Sequence, residues 1–106
     1  MPKIKGIDFD FGGEVLTIPP LALGDFELLQ ERLGALQLGA ADSDTVKTIV
    51  DAAYAALHRN YPAMSRADVA AIVDLGNMVD VIDAVMDVTG AKRKALDEKK
   101  AGAASG

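Results

Sequence analysis

The chain has 106 residues, a length that suits one domain with a single core. Half of its residues are hydrophobic but only five are aromatic (two Tyr, three Phe), so that core must come from Val, Leu, Ile, Ala and Met, and intrinsic disorder is excluded for most of the chain. The net charge of −5 argues against nucleic acid as a partner, and the absence of cysteine excludes disulfides and thiol chemistry.

Residues 3–11 read as a first strand. Ile7, Phe9 and Phe11 point to one face, and Asp8 and Asp10 to the other. Gly12-Gly13 supplies the positive φ angles of a two-residue hairpin turn, and Glu14 to Ile18 form the returning strand. Two strands alone are marginal in water, so the hairpin needs helices over its apolar face, or a partner along its free edge. Pro19-Pro20 ends the strand, since neither proline can donate a ladder hydrogen bond.

Four helices are predicted after it, over about 22–37, 43–59, 65–75 and 78–89. In the first, Phe26, Leu29, Leu33 and Leu36 make the apolar stripe, Asp25 is a cap or first-turn acid, and Gly39 lies just beyond the end. The second opens at Asp42-Ser43-Asp44 and carries Val46, Ile49, Val50, Ala53 and Leu57 on one face, until Asn60-Tyr61-Pro62 closes it. Ser65 and Asp68 make a capping box for the third, whose inner residues are Val69, Ile72 and Val73. Leu75-Gly76-Asn77 reads as a break, with Gly76 suited to a left-handed cap. The fourth helix turns Met78, Val81, Ile82, Val85 and Met86 inward and stops at Thr89-Gly90. The fold class is therefore α+β and mostly α: an N-terminal β-hairpin and a four-helix body over residues 1–90. Residues 91–106 form a charge-dense tail expected to be disordered, with Lys92, Arg93 and Lys94 able to extend the last helix.

No apolar run approaches the length of a membrane span, and Met-Pro-Lys-Ile-Lys-Gly at the start lacks the core of a signal peptide. A soluble cytoplasmic protein without a membrane partner is the expectation.

Each candidate for chemistry has a plainer explanation. His58 is the only histidine, and with no cysteine beside it a zinc site would need several carboxylates. The Asp8/Asp10 and Asp42/Asp44 pairs open like a calcium loop, but after Asp42 the later ligand positions hold Val46, Lys47 and Ala53. Asp42-Ser43-Asp44 resembles the Asp-Ser-Leu site of acyl carrier proteins, although Asp44 stands where that motif has leucine, and an N-cap accounts for the same residues. No phosphate-binding glycine loop is present. The two short helices from Ser65 could pass for a helix-turn-helix, but the second carries Asp80, Asp83 and Asp87 and no base. The expectation is a protein that is not an enzyme and holds no cofactor and no metal.

What remains is apolar. Leu21, Leu23 and Leu28 fall off the stripe of the first helix, and methionines suit surfaces that receive varied partners. Leu21, Leu23, Phe26, Leu28, Met78 and Met86 are accordingly the candidate partner-binding residues, and the free edge of the hairpin is a second candidate surface.

Ile18-Pro-Pro-Leu-Ala-Leu-Gly followed by Leu29-Gln-Glu-Arg-Leu33, then Arg59-Asn-Tyr-Pro-Ala-Met-Ser65, Asp68-Val69 and Asp74-Leu-Gly-Asn-Met78, resemble the tail assembly chaperones of long-tailed phages and prophages. The resemblance covers residues 3–89 and leaves the charged tail unmatched. It implies a non-enzymatic viral protein that binds the tape measure protein and promotes assembly of tail tube protein around it. It also implies a homo-oligomer that acts in the bacterial host cytoplasm and is absent from the mature virion, in many phages with a longer frameshifted form. A structural minor tail protein retained in the virion is the alternative, and an acyl-carrier-like protein a more distant one.

Overall fold

The computed structural model describes residues 4–37 and 42–90. The fold is α+β and mostly helical. An antiparallel hairpin, β1 (Ile7–Asp10) and β2 (Val15–Ile18), precedes α1 (Leu23–Gly34), α2 (Ser43–Asn60), α3 (Arg66–Ile72) and α4 (Met78–Thr89).

The strands pair Ile7 with Ile18, Asp8 with Thr17, Phe9 with Leu16 and Asp10 with Val15. Phe11 N–H donates to the Glu14 carbonyl at 2.9 Å, so Gly12-Gly13 is the two-residue loop, and both glycines have positive φ (84° and 112°). A side chain at either position would be strained. The register puts Ile7, Phe9, Leu16 and Ile18 on one face, against the helices, and Asp8, Asp10, Val15 and Thr17 on the other. Gly6 is required for a different reason. A Cβ there would overlap the Ile18 carbonyl group, so the chain before β1 can run against the end of β2 only without a side chain.

Helix α2 is the central element and packs against α4, α3, β2 and α1, while α4 also reaches both strands. The expected stripe of α2 is buried or half-buried, but a second row is buried too: Thr45, Thr48, Ala52 and Ala56. Alanines at 52, 53 and 56 remove the bulk that would hold neighbouring elements away. The two threonines enter the interior because their hydroxyls are satisfied locally, on Asp42 Oδ1 (2.7 Å) and the Asp44 carbonyl (2.8 Å). One hydrophobic cluster joins all elements, with Ile18, Pro19, Ile49, Leu57, Val69, Val81, Ile82 and Val85 almost fully enclosed.

The hairpin is fastened to the end of α2. Buried Asn60 accepts from Ile4 N–H (2.7 Å) and donates to the carbonyls of Ile4 (2.9 Å) and Thr17 (3.4 Å). Thr17 N–H donates to the Tyr61 hydroxyl at 2.8 Å, so this stretch of the outer edge of β2 is closed. The Pro19-Pro20 segment is clamped in the same way: Arg59 donates to the Pro20 carbonyl (2.6 Å), and Leu21 N–H donates to Thr89 Oγ1 (3.0 Å).

The first strand is shorter than the expected 3–11, running only from Ile7 to Asp10, and two helix ends and one cap also differ from expectation. Helix α1 stops at Gly34, because Ala35 N–H is shared between the Glu31 and Arg32 carbonyls and the last turn tightens; Leu36 lies past the helix, yet still packs on the core. Helix α3 ends at Ile72 and not at 75, since Val73 is extended (ψ 126°). Gly76 does not take the left-handed conformation expected of it. Side chains do that work: Asp74 and Asn77 each accept from the other's N–H at 2.8 Å, and Asn77 donates to the Ile72 carbonyl at 3.0 Å. The box of Ser65 and Asp68 is as expected, and α4 ends at Thr89-Gly90 as expected; the left-handed conformation is found at Gly90 (φ 89°). Gly39 and the charged tail lie outside the described residues.

Asp51 on α2 holds α1 and α3 in place through Arg32 (2.9 Å) and Arg66 (2.6 Å). Partial burial opposes ionisation of its carboxyl, but the two guanidiniums outweigh that and hold the group below its ordinary value of 3.8. A carboxyl lowered on folding adds stability above its unfolded pKa and loses it as the pH falls through the folded one. Asp51→Asn should therefore cost about 0.5–1 kcal/mol at neutral pH. In urea titrations the gap to wild type should close below pH 3.8; a gap that persists in acid would mean that the charge is not what matters.

Candidate functional site

The candidate residues do not form one patch. Leu21 is only 6 % exposed and Met78 only 7 %, so neither offers a partner an open side chain: Leu21 is corrected to a core residue, and Met78 lies inward as the stripe of α4 predicts. Leu21 is drawn inward because the proline clamp fixes its backbone on Thr89, and Met78 because it begins the buried face of α4. Phe26 and Met86 are half-buried and pack against the core. Leu23 and Leu28 are different: they are 85 % and 79 % exposed on α1.

This exposure follows from the helix geometry. Leu29 and Leu33, with Phe26 beside them, turn toward the core. Leu23 and Leu28 lie on opposite flanks of that row, about 140° apart around the helix axis. Glu27, Gln30 and Glu31 are exposed among them, giving two isolated leucines on a charged helix surface. Scattered exposed apolar residues are ordinary, but two nearly bare leucines on one short helix are a substantial unburied apolar area.

A second apolar surface lies at the α3–α4 junction. Leu75 is 70 % exposed at the tip of the Asp74–Asn77 turn, whose reciprocal side-chain bonds hold it outward. Beneath it is a cavity of about 210 Å³ lined by Val46, Ile49, Val50, Val73 and Met78. Val79 is exposed one residue beyond Met78. Sequence periodicity missed Leu75 because a residue in a turn belongs to no helical stripe. The available signal was its chemistry: a leucine inside Asp-Leu-Gly-Asn has no structural need to be apolar.

A larger hollow of about 450 Å³ lies between the end of α1 and the start of α2, lined by Arg32, Leu36, Asp42, Asp44, Thr45 and Thr48 among others. The Thr45 hydroxyl and then its amide, both donating to Asp42, hold that carboxyl below its ordinary value. Asp42 is thus the cap of α2, while Ser43 is exposed as the helix's first residue. His58 is also exposed, its ring 5.1 Å from that of Tyr54.

The hairpin carboxylates have local duties. Asp8 accepts from the Thr17 hydroxyl (2.7 Å) and Asp10 from Gly13 N–H (2.6 Å). Among the described residues no group of three His, Cys, Asp or Glu side chains is placed to hold a metal ion. Asp80, Asp83 and Asp87 all lie exposed on α4, a surface that would repel a phosphate backbone. Among the described residues no helix is long and apolar enough to cross a membrane. No protein-family model matches the chain, and no curated protein and no solved structure matches it either.

Proposed function

We propose that this chain is a non-enzymatic phage tail assembly chaperone. It binds the tape measure protein through exposed leucines and promotes assembly of tail tube protein around it, working as a homo-oligomer in the host cytoplasm and leaving before the virion matures. The observation that carries the reading is the pair Leu23 and Leu28, standing in solvent on a helix whose surroundings are charged. Apolar contacts rimmed by charge suit a protein that shields another chain's hydrophobic helices while staying soluble itself. The reading also rests on the resemblance of the Pro-Pro, Asn-Tyr-Pro and Asp-Leu-Gly-Asn-Met segments to that family.

Co-expression tests it. A tape measure fragment that is insoluble alone should become soluble and co-purify with this chain, and mass spectrometry of purified particles should find the chain absent. Stoichiometric amounts in the virion would instead make it a structural tail protein, and a fragment that remained insoluble would remove the chaperone role.

A further inference from the structure

The two edges of the hairpin are not equivalent. Thr17 on the outer edge of β2 is closed by Asn60 and Tyr61, whereas among the described residues no strand adjoins β1. The hydrogen-bonded pairs are Ile7 with Ile18, Phe9 with Leu16 and Phe11 with Glu14, so the main-chain N–H and C=O groups of Asp8 and Asp10 point away from β2. Both residues are exposed. Their carboxylates stand on the solvent face of this edge, and each keeps a second oxygen besides the one used by Thr17 or Gly13.

The apolar face is also unfinished on this side. Leu16 and Ile18 on β2 are buried, but their partners Phe9 and Ile7 on β1 are only half-buried. Main-chain groups that no other described residue pairs, two carboxylates above them and incompletely covered apolar side chains below therefore run along the same strand. A sheet edge of this kind is a template for strand addition, in which main-chain bonds hold the guest and alternating side chains select it.

We propose that β1 receives an extended segment of another protein in which lysine or arginine alternates with apolar residues. The basic residues stand beside Asp8 and Asp10, and the apolar ones cover Ile7 and Phe9. A second copy of β1 is the wrong guest, because antiparallel self-pairing sets these aspartates against their own counterparts, and like charges directly opposite one another are destabilising. The acidic edge thus excludes its own kind while accepting a basic strand. Lys5, exposed just before β1, marks the end of the acidic stretch. This inference is independent of the tail-assembly reading and rests on the hairpin alone.

The test uses the full chain and a fluorescently labelled short peptide alternating lysine and valine. Saturable binding is expected, together with slowed hydrogen exchange at the Asp8 and Asp10 amides. The same peptide N-methylated on the residues that would bond β1 should lose binding. Asp8→Asn combined with Asp10→Asn keeps a side-chain oxygen for Thr17 and Gly13, so the hairpin should stay folded while affinity falls roughly three- to tenfold. Absence of saturable binding would overturn the proposal. So would equal binding of the N-methylated peptide, or exchange protection confined to α4, since either would reduce the effect to diffuse attraction by the Asp80, Asp83 and Asp87 surface. Protection of Asp8 and Asp10 by self-association without peptide would also overturn it, by making the guest a second copy.

Discussion

Replacing Asn60 by alanine is expected to lower the unfolding free energy by about 2–4 kcal/mol, a large share of the total for a domain of this size. The side chain makes three hydrogen bonds, two to Ile4 and a longer one to Thr17, from a position that is 8 % exposed. Alanine removes them and leaves the part-buried main-chain groups of Ile4 and Thr17 without these partners, so the cost includes their desolvation as well as the lost bonds. The hairpin has few other polar anchors, the Tyr61 hydroxyl on Thr17 N–H being the nearest. Asn60→Asp should be worse than alanine, because an acceptor would then face the two carbonyl oxygens that now receive N–H donors, and a charge would be buried with them. Urea unfolding of the three proteins gives the order, and hydrogen exchange at Ile4 shows whether the loss begins where the chain enters the hairpin. A cost under about 0.5 kcal/mol, within the range of an ordinary surface change, would mean that the hairpin is held by apolar packing alone.

The second large effect is on binding. Leu23→Asp together with Leu28→Asp should weaken capture of a tape measure fragment by about a hundredfold or more, if each leucine loses the 1.5–3 kcal/mol that burial of such a side chain is worth. Folding should be nearly untouched, because both positions are already in solvent. Leu23 is the first residue of α1, where an added negative charge is favourable, and Leu28 lies mid-helix, where Asp costs a fraction of a kcal/mol. Circular dichroism should therefore match wild type. Leu21→Asp is the instructive contrast, since the same change two residues earlier puts a carboxylate into the core and should unfold the protein. The single variants carry further information. Two side chains 140° apart do not lie under one straight partner helix, so roughly equal losses from each would indicate a partner that wraps α1 or contacts it from two sides. Undiminished co-purification of the double variant would move the contact elsewhere, and Leu75→Asp at the α3–α4 junction would then be the variant to make.

The polar network around Asn60 and the proline clamp gives the Pro19-Pro20 segment a role beyond ending a strand. Its carbonyl and the following N–H are held by the ends of α2 and α4 respectively. Residues at the C-terminal ends of two helices therefore fix where α1 begins, and with it the direction in which Leu23 points.

Local pattern was sufficient for much of this molecule. Alternation at Ile7, Phe9 and Phe11, the glycine pair, the double proline, and the capping residues Ser65, Asp68 and Gly90 specify a hairpin followed by helices, because each acts on its own backbone within a few residues. The stripes of α1 and α4 were likewise legible, since one buried face leaves a 3.6-residue period. Tertiary structure decided the remainder. Helix α2 is buried on more than one face, so its period understated its core, and Thr45 and Thr48 could join it only once Asp42 and the Asp44 carbonyl took their hydroxyls. Asn60 looked like a helix terminator; its bonds to Ile4, 56 residues away, exist only in the folded chain. Leu21, Leu23 and Leu28 were alike as leucines off a stripe. The clamp of Leu21 on Thr89 buries the first, while the two without such an anchor stay in water, because exposure depends on what the rest of the chain brings alongside.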